Sequence, residues 1–241
     1  MIKNEIIGFH TIESILKNTP ERAILLTTTN KNKRLKHLIK IAINNNIKVN
    51  VIKSKLKRIL FNQSFYQNAI LTCKPFQYVD FNQQITKKMN LILILDRIQD
   101  SQNLGKICRS ALCFGVNLII IPKNNSVKIT SIVEQIAVGS LSIIPITQVI
   151  NITETINKLK KIGFFIIGTE TNTHISSYKY TFSNKTALII GNEELGIRLL
   201  IRKTCDQIIT IPMRKHNINL NAADATTILL YEINRKYHQK M

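Results

Sequence analysis

Residues 91–111 read LILILDRIQDSQNLGKICRSA: five unbroken apolar residues, a polar junction opening on Asp96, then a helix-compatible stretch. An uninterrupted apolar run of that length fits a strand buried on both faces better than the alternating pattern of a half-exposed one. Five similar runs follow at 118–121, 143–146, 164–167, 187–190 and 208–211. Most are separated by helix-length stretches, one of which carries Ile129, Ile132, Val133 and Ile136 on a single face. Strands of this kind alternating with helices predict an α/β fold with a mostly parallel sheet covered on both sides. Residues 221–236 read as a closing helix.

Working back toward the N-terminus, residues 80–90 (DFNQQITKKMN) are polar and lack strong periodicity, which predicts a linker over 76–90. Ahead of it, 1–75 form a smaller α/β unit. Ile12, Ile15 and Leu16 give a short amphipathic pattern, 23–26 (AILL) and 47–52 (IKVNVI) read as strands, and Leu35, Leu38, Ile39 and Ala42 recur at helical spacing. Lys31, Lys33, Arg34, Lys36 and Lys40 lie on the polar side of that helix, and a second basic helix-like stretch contains Lys53, Lys55, Lys57 and Arg58. The third unit is 91–241.

The chain has 241 residues, 34 Lys+Arg against 14 Asp+Glu, a net charge of +20, and 44% hydrophobic residues. That much apolar material excludes a charge-driven disordered chain. No run reaches the ~20 apolar residues of a membrane helix, and the first residues show no signal-peptide pattern, so a soluble cytoplasmic protein without membrane contact is expected. A surface this basic concentrates polyanions, which points to nucleic acid, although enrichment in Lys, Asn and Ile also fits a biased codon supply. Cys73, Cys108, Cys113 and Cys205 contain no C-x-x-C pair, and His10, His37, His174, His216 and His238 are scattered. No metal is therefore expected, and the thiols are read as free.

Ligands in parallel α/β sheets bind beyond the carboxyl ends of the strands. Three junctions there are unusual: 96–111 (DRIQDSQNLGKICRSA), 191–196 (GNEELG) and 211–225 (IPMRKHNINLNAADA). Neither a dinucleotide-binding nor a P-loop glycine pattern is present. Taken singly, Asn103 reads as a helix cap, Gly105 and Gly191 as turn residues, and Glu193 as an acid favouring a helix N-terminus. Together the three junctions resemble the motifs of the SpoU/TrmH branch of the SPOUT RNA methyltransferases. The first, N-x-G-x-x-x-R-x-A, is carried by Asn103, Gly105, Arg109 and Ala111. The second, G-x-E-x-x-G, is carried by Gly191, Glu193 and Gly196. The third is carried by Ile211, Pro212, Met213, Leu220, Asn221, Tyr231 and Glu232.

The resemblance implies a trefoil-knotted SPOUT domain, S-adenosylmethionine as cofactor and a homodimer. The opening IIGFH, with Gly8 and His10, is similar to members with a ribosomal-protein-like N-terminal domain that binds substrate RNA. Such members methylate the 2′-oxygen of a guanosine in large-subunit (23S) ribosomal RNA. By resemblance the catalytic residues are Asn103, Arg109, Glu193 and Asn221. The cofactor would be held by Gly191, Ile211 and Leu220, with Gly168 and Thr169 as further candidates. This chain departs from the family pattern at Lys215, Asn219, Ala223 and Ser142. A tRNA 2′-O-methyltransferase and a non-catalytic RNA-binding assembly factor that keeps the fold are the alternatives.

Overall fold

The computed structural model of the chain describes residues 4–29, 32–52, 68–171, 173–214 and 219–238. Lys31, the basic stretch from Lys53 to Arg58 and Lys215 lie outside the described residues. The chain divides into two compact units: Met1–Gln77 with Ile129–Ile143, and Tyr78–Lys128 with Ile144–Met241. Labels below follow chain order.

In the first unit, strands β1 (Asn4–Ile7), β2 (Ala23–Thr28), β3 (Lys48–Val51) and β4 (Ala69–Cys73) form one sheet in the order β1-β4-β2-β3. β2 and β3 run parallel, while β4 is antiparallel to both β1 and β2. Helix α1 (Phe9–Asn18) buries Ile12, Ile15 and Leu16, and α2 (Lys33–Asn44) buries Leu35, Leu38 and Ala42. Asn32 caps α2 by accepting from the Leu35 N–H at 2.9 Å. Lys33, Arg34, Lys36 and Lys40 remain exposed on its outer side.

The segment Ile129–Ile143 joins this unit through short helix α5 (Ser131–Ile136) and a 3₁₀ turn at Ser140–Ser142. It is held by a buried ion pair, in which Arg22 donates to both carboxylate oxygens of Glu134 at 2.9–3.0 Å. Ser142 donates to the Gly139 carbonyl and lies 2.5 Å from the Ser14 hydroxyl of α1.

The second unit is a six-stranded sheet in the order β10-β8-β9-β5-β6-β7, with every adjacent pair parallel. Its strands are β5 (Leu91–Leu95), β6 (Leu118–Pro122), β7 (Ile146–Val149), β8 (Phe165–Thr169), β9 (Thr186–Ile190) and β10 (Gln207–Ile209). Ile92 and Ile94 enter a core shared with Ile156 and Leu159 of α6 (Ile152–Lys161). Leu93 and Leu95, on the opposite face, are also buried. Burial of both faces explains the unbroken apolar run, since each such side chain contributes about 1.5–3 kcal/mol when removed from water.

Phe81, in the single turn α3 (Phe81–Gln84), and Met89 are buried in the same core, so the polar stretch 80–90 carries apolar anchors. Helices α4 (Ser101–Cys113), α7 (Leu199–Thr204) and α8 (Ala222–His238) complete the unit. The Ser110 and Thr227 hydroxyls, 2.7 Å apart, join α4 to α8.

One strand is displaced from its sequence expectation. The run 143–146 is followed by a strand at 146–149, because Ile143 closes the 3₁₀ turn and Pro145 has no N–H for a ladder. The last strand likewise stops at Ile209, and Thr210 turns to an isolated parallel bridge with Ser176. Among the described residues, no helix is long and apolar enough to cross a membrane.

Candidate active site

The carboxyl end of β5 delivers Asp96, whose side chain is wholly buried. It accepts from the Arg198 guanidinium at 2.7–2.9 Å and from the Arg198 backbone N–H at 3.1 Å. This bond ties the start of the first junction to the end of the second. In the sequence Asp96 marks only the head of its junction; an acid set directly after a fully buried run is the signal that points to it.

Four residues on, Asp100 caps α4, accepting from the N–H groups of Gln102 (2.9 Å) and Asn103 (3.3 Å). The cap is thus Asp100 rather than Asn103. Asn103 sits inside the first turn with its side chain free for another role, and donates from Nδ2 to Glu193 Oε1 at 2.6 Å. Glu193 faces α4 rather than the N-terminus of α7. A contact across 90 residues thereby joins the first two motifs.

Asn192 organises the turn that carries Glu193. Its Oδ1 accepts from the N–H groups of Glu194 and Leu195, and its Nδ2 donates to the Arg97 carbonyl at 3.2 Å. A Cβ on Gly191 would stand 2.3 Å from the Gly196 carbonyl carbon and 2.4 Å from the Ile197 nitrogen. Only glycine lets the two limbs of this turn approach so closely.

Beside the turn opens a cavity of about 370 Å³, within the size range of small-molecule sites. The second junction lines it through Gly191 and Glu193, the third through Ile211, Met213, Asn219 and Leu220, and β8 through Thr169. Glu170 and Thr210, which the sequence analysis did not single out, line it as well. Gly168 is not among the lining residues. A Cβ there would meet Ile208, Cys205 and Ile197, so this glycine serves close packing between strand and helix.

Arg109 lies exposed on α4, with no hydrogen bond or ion pair to any described residue. Asn221 stands just ahead of α8, where its Oδ1 accepts from the Asp224 N–H at 2.8 Å and its Nδ2 donates to the Asp224 carboxylate at 2.9 Å. The structure therefore joins Asn103 to Glu193 directly and engages Asn221 as a helix cap. Cys108, buried on the inner side of α4, has its thiol pushed up to about 12 by desolvation, so it offers no thiolate. Among the described residues no cluster of His, Cys, Asp and Glu has the makings of a metal site.

Comparison with known proteins adds a decisive match: the pattern of the SpoU rRNA Methylase family covers residues 90–231. This chain belongs to that family. As a SpoU-family methyltransferase it is 34% identical, over 96% of its length and 95% of the relative's, to a protein of Staphylococcus saprophyticus whose name places it among TrmH family tRNA/rRNA methyltransferases. The SpoU methyltransferase AviRb of Streptomyces viridochromogenes, solved in complex with AdoMet, superposes with a TM-score of 0.82 at 20% identity, over 98% of this chain and 91% of AviRb. The A. aeolicus TrmH/SpoU tRNA modifying enzyme superposes with a TM-score of 0.58 at 28% identity, over 64% of this chain and 78% of that one. The SpoU-family assignment, the parallel sheet and the three motif junctions at its carboxyl edge are mutually consistent.

Proposed function

We propose that this chain methylates the ribose 2′-oxygen of a guanosine in large-subunit ribosomal RNA, with S-adenosylmethionine as the methyl donor. The observation that carries the reading is the Asn103–Glu193 bond, which fixes the helix bearing Arg109 to the turn that lines the 370 Å³ cavity. The cavity fits the cofactor by its mixed lining, with apolar Ile211, Met213 and Leu220 beside polar Thr169 and Glu170. Main-chain groups of Gly191, Ile211 and Leu220, with Thr169, would hold it. Bound there, the cofactor supplies a methyl group already activated by the sulfonium charge.

The protein's own task is to hold the ribose hydroxyl in line and ease loss of its proton. A guanidinium has no acceptor atom, so Arg109 cannot serve as a base. Its unpartnered guanidinium instead suits a bidentate grip on the neighbouring phosphate and stabilisation of charge growing on the 2′-oxygen. Asn103 and Glu193 orient the helix that carries it. Asn221 supports the same rim indirectly, by fixing the start of α8 next to the cavity residues Asn219, Leu220 and Ala222.

Several observations support the ribosomal member of the family. The chain has a folded first unit, whose α2 displays four exposed cations. The solved tRNA modifying enzyme matches 64% of the chain, against 97% for a solved rRNA methyltransferase of Sinorhizobium meliloti. In this reading residues 1–75 bind substrate RNA, 91–241 form the knotted SPOUT domain, and the protein acts in the cytoplasm as a homodimer. Exposed Leu199, Leu200 and Tyr231 provide apolar surface for such pairing.

Calorimetric titration with S-adenosylmethionine, followed by labelled-methyl transfer to protein-free ribosomal RNA and to bulk tRNA, tests the proposal. Cofactor binding with label in ribosomal RNA is the expected result. Label in tRNA alone would make it a tRNA enzyme, and absence of cofactor binding would leave an RNA-binding scaffold.

A further inference from the structure

We infer that Arg97, with Lys123 and Lys128 beside it, forms a subsite for the sugar–phosphate backbone of RNA flanking the nucleotide to be methylated; the inference rests on the function proposed above. Five described residues other than glycine have positive φ: Asn46, Asn68, Asn125, Val138 and Arg97. Asparagine tolerates the left-handed region, but a long arginine gains nothing locally from it. Arg97 adopts φ 64° immediately after β5, between Asp96 and the helix that carries Asn103 and Arg109. Such outliers persist where the surroundings hold them, and they gather at functional sites.

The surroundings do hold it. Asp96 is clamped by Arg198 on one side, and the Arg97 carbonyl is gripped by Asn192 on the other. The strain therefore fixes where the guanidinium starts from. Three carboxylates of the joined junctions are already engaged: Asp96 with Arg198, Asp100 with the α4 cap, and Glu193 with Asn103. The Arg97 guanidinium has no bond to a described residue, and its Nε is buried without an acceptor. A half-buried guanidinium with no acceptor among the described residues is suited to an anion.

A second element extends the charge. The loop after β6 is docked on Ile98, whose carbonyl accepts from Ser126 Oγ at 3.1 Å and from the Val127 N–H at 2.9 Å. Lys123 and Lys128 lie at the two ends of that loop, both exposed and with no ion pair to a described residue. Two strand-end loops thus present cations at the carboxyl edge of the sheet, where α4, the helix that bears Arg109, begins. A polyanionic backbone fits this arrangement, and the contact it makes is blind to sequence.

The experiment is a salt titration of RNA binding by the full chain, read by anisotropy of a labelled 20-nucleotide single-stranded RNA. Arg97→Gly is the informative variant, because glycine accepts the same φ and the fold is preserved. It should weaken binding about tenfold at ~0.1 M salt and lower the slope of log K against log[salt] by about 0.7, one single-strand phosphate contact. Arg97→Lys should restore the slope. S-adenosylmethionine affinity should be unchanged in both, and Lys161→Gln, a cation on α6, should leave the slope unchanged. A wild-type protein that binds and methylates RNA, with Arg97→Gly matching it in slope, overturns the subsite alone. A wild-type protein that fails to bind RNA overturns the subsite together with the proposed function.

Discussion

The Asn103–Glu193 bond lends itself to a quantitative test. Its length of 2.6 Å and its carboxylate acceptor make it charge-assisted, a class that contributes about 1.5–3 kcal/mol. Asn103 is buried but Glu193 is only half-buried, so solvent screening places the bond near the lower end, at about 1.5 kcal/mol. If it positions α4 against the 191–196 turn, that energy appears in the transition state, and Asn103→Ala should lower kcat/KM for methyl transfer about tenfold. Glu193→Ala should cost a similar factor.

The double variant should be little worse than either single one, giving a coupling energy of about 1.5 kcal/mol, because neither residue acts without the other. Glu193→Gln retains an acceptor without the charge and should fall between wild type and Glu193→Ala. The assay is labelled-methyl transfer under subsaturating RNA, with urea unfolding of each variant as the stability control. Effects that add to within about 0.5 kcal/mol would show two independent residues and refute the positioning argument.

Four further outcomes follow from the structure. Arg109→Ala, on an exposed and unpartnered side chain, should leave stability within about 0.5 kcal/mol and cofactor affinity unchanged while methyl transfer falls at least about a hundredfold, measured by unfolding, calorimetry and turnover. Glu134→Ala strands Arg22 in the first unit and should cost about 3–5 kcal/mol in urea unfolding, whereas Arg22→Met with Glu134→Leu should recover most of it. Gly191→Ala forces a methyl into the Gly196–Ile197 backbone, and should cost about 1–3 kcal/mol and weaken S-adenosylmethionine binding in calorimetry. The Cys108 thiol is raised from 9.0 to about 12 by burial, so the unfolded chain loses its proton first and stability should decline as pH rises from 9 toward 12, seen as a falling Tm; a shallower decline in Cys108→Ala assigns its share, with the thiols of Cys73 and Cys205, also raised by burial, contributing in the same direction.

How much of this was legible in the sequence depended on the kind of signal. Leu91–Leu95 coincides with its strand because burial on both faces writes itself as an unbroken apolar run. The run at 143–146 misplaced its strand because hydropathy does not register that Pro145 lacks a donor and that Ile143 ends a turn. Ile129, Ile132, Val133 and Ile136 announced a helix, but periodicity does not say which core a helix joins. The partner that holds this segment, Arg22 to Glu134, spans 112 residues and belongs to no repeat.

The same limit applies at the site. Motif resemblance brought Asn103 and Glu193 to attention, while their bond, the Asp96–Arg198 clamp and the left-handed Arg97 follow from long-range geometry that spacing does not encode. Asn221 illustrates the reverse. Its motif position carries its proposed role beside the ribose, while its contact with Asp224, three residues on, is a capping bond that local spacing alone suggests.

The central claim is that a methyl group reaches a ribose oxygen, and alkaline hydrolysis tests it most directly. RNA cleavage by base needs a free 2′-hydroxyl, so a 2′-O-methyl nucleotide survives in an alkali-stable dinucleotide. Ribosomal RNA incubated with this protein and methyl-labelled S-adenosylmethionine should yield its label in one such dinucleotide with guanosine at the methylated position, and Arg109→Ala should abolish it. Label recovered in mononucleotides, which marks a methylated base, would contradict the account.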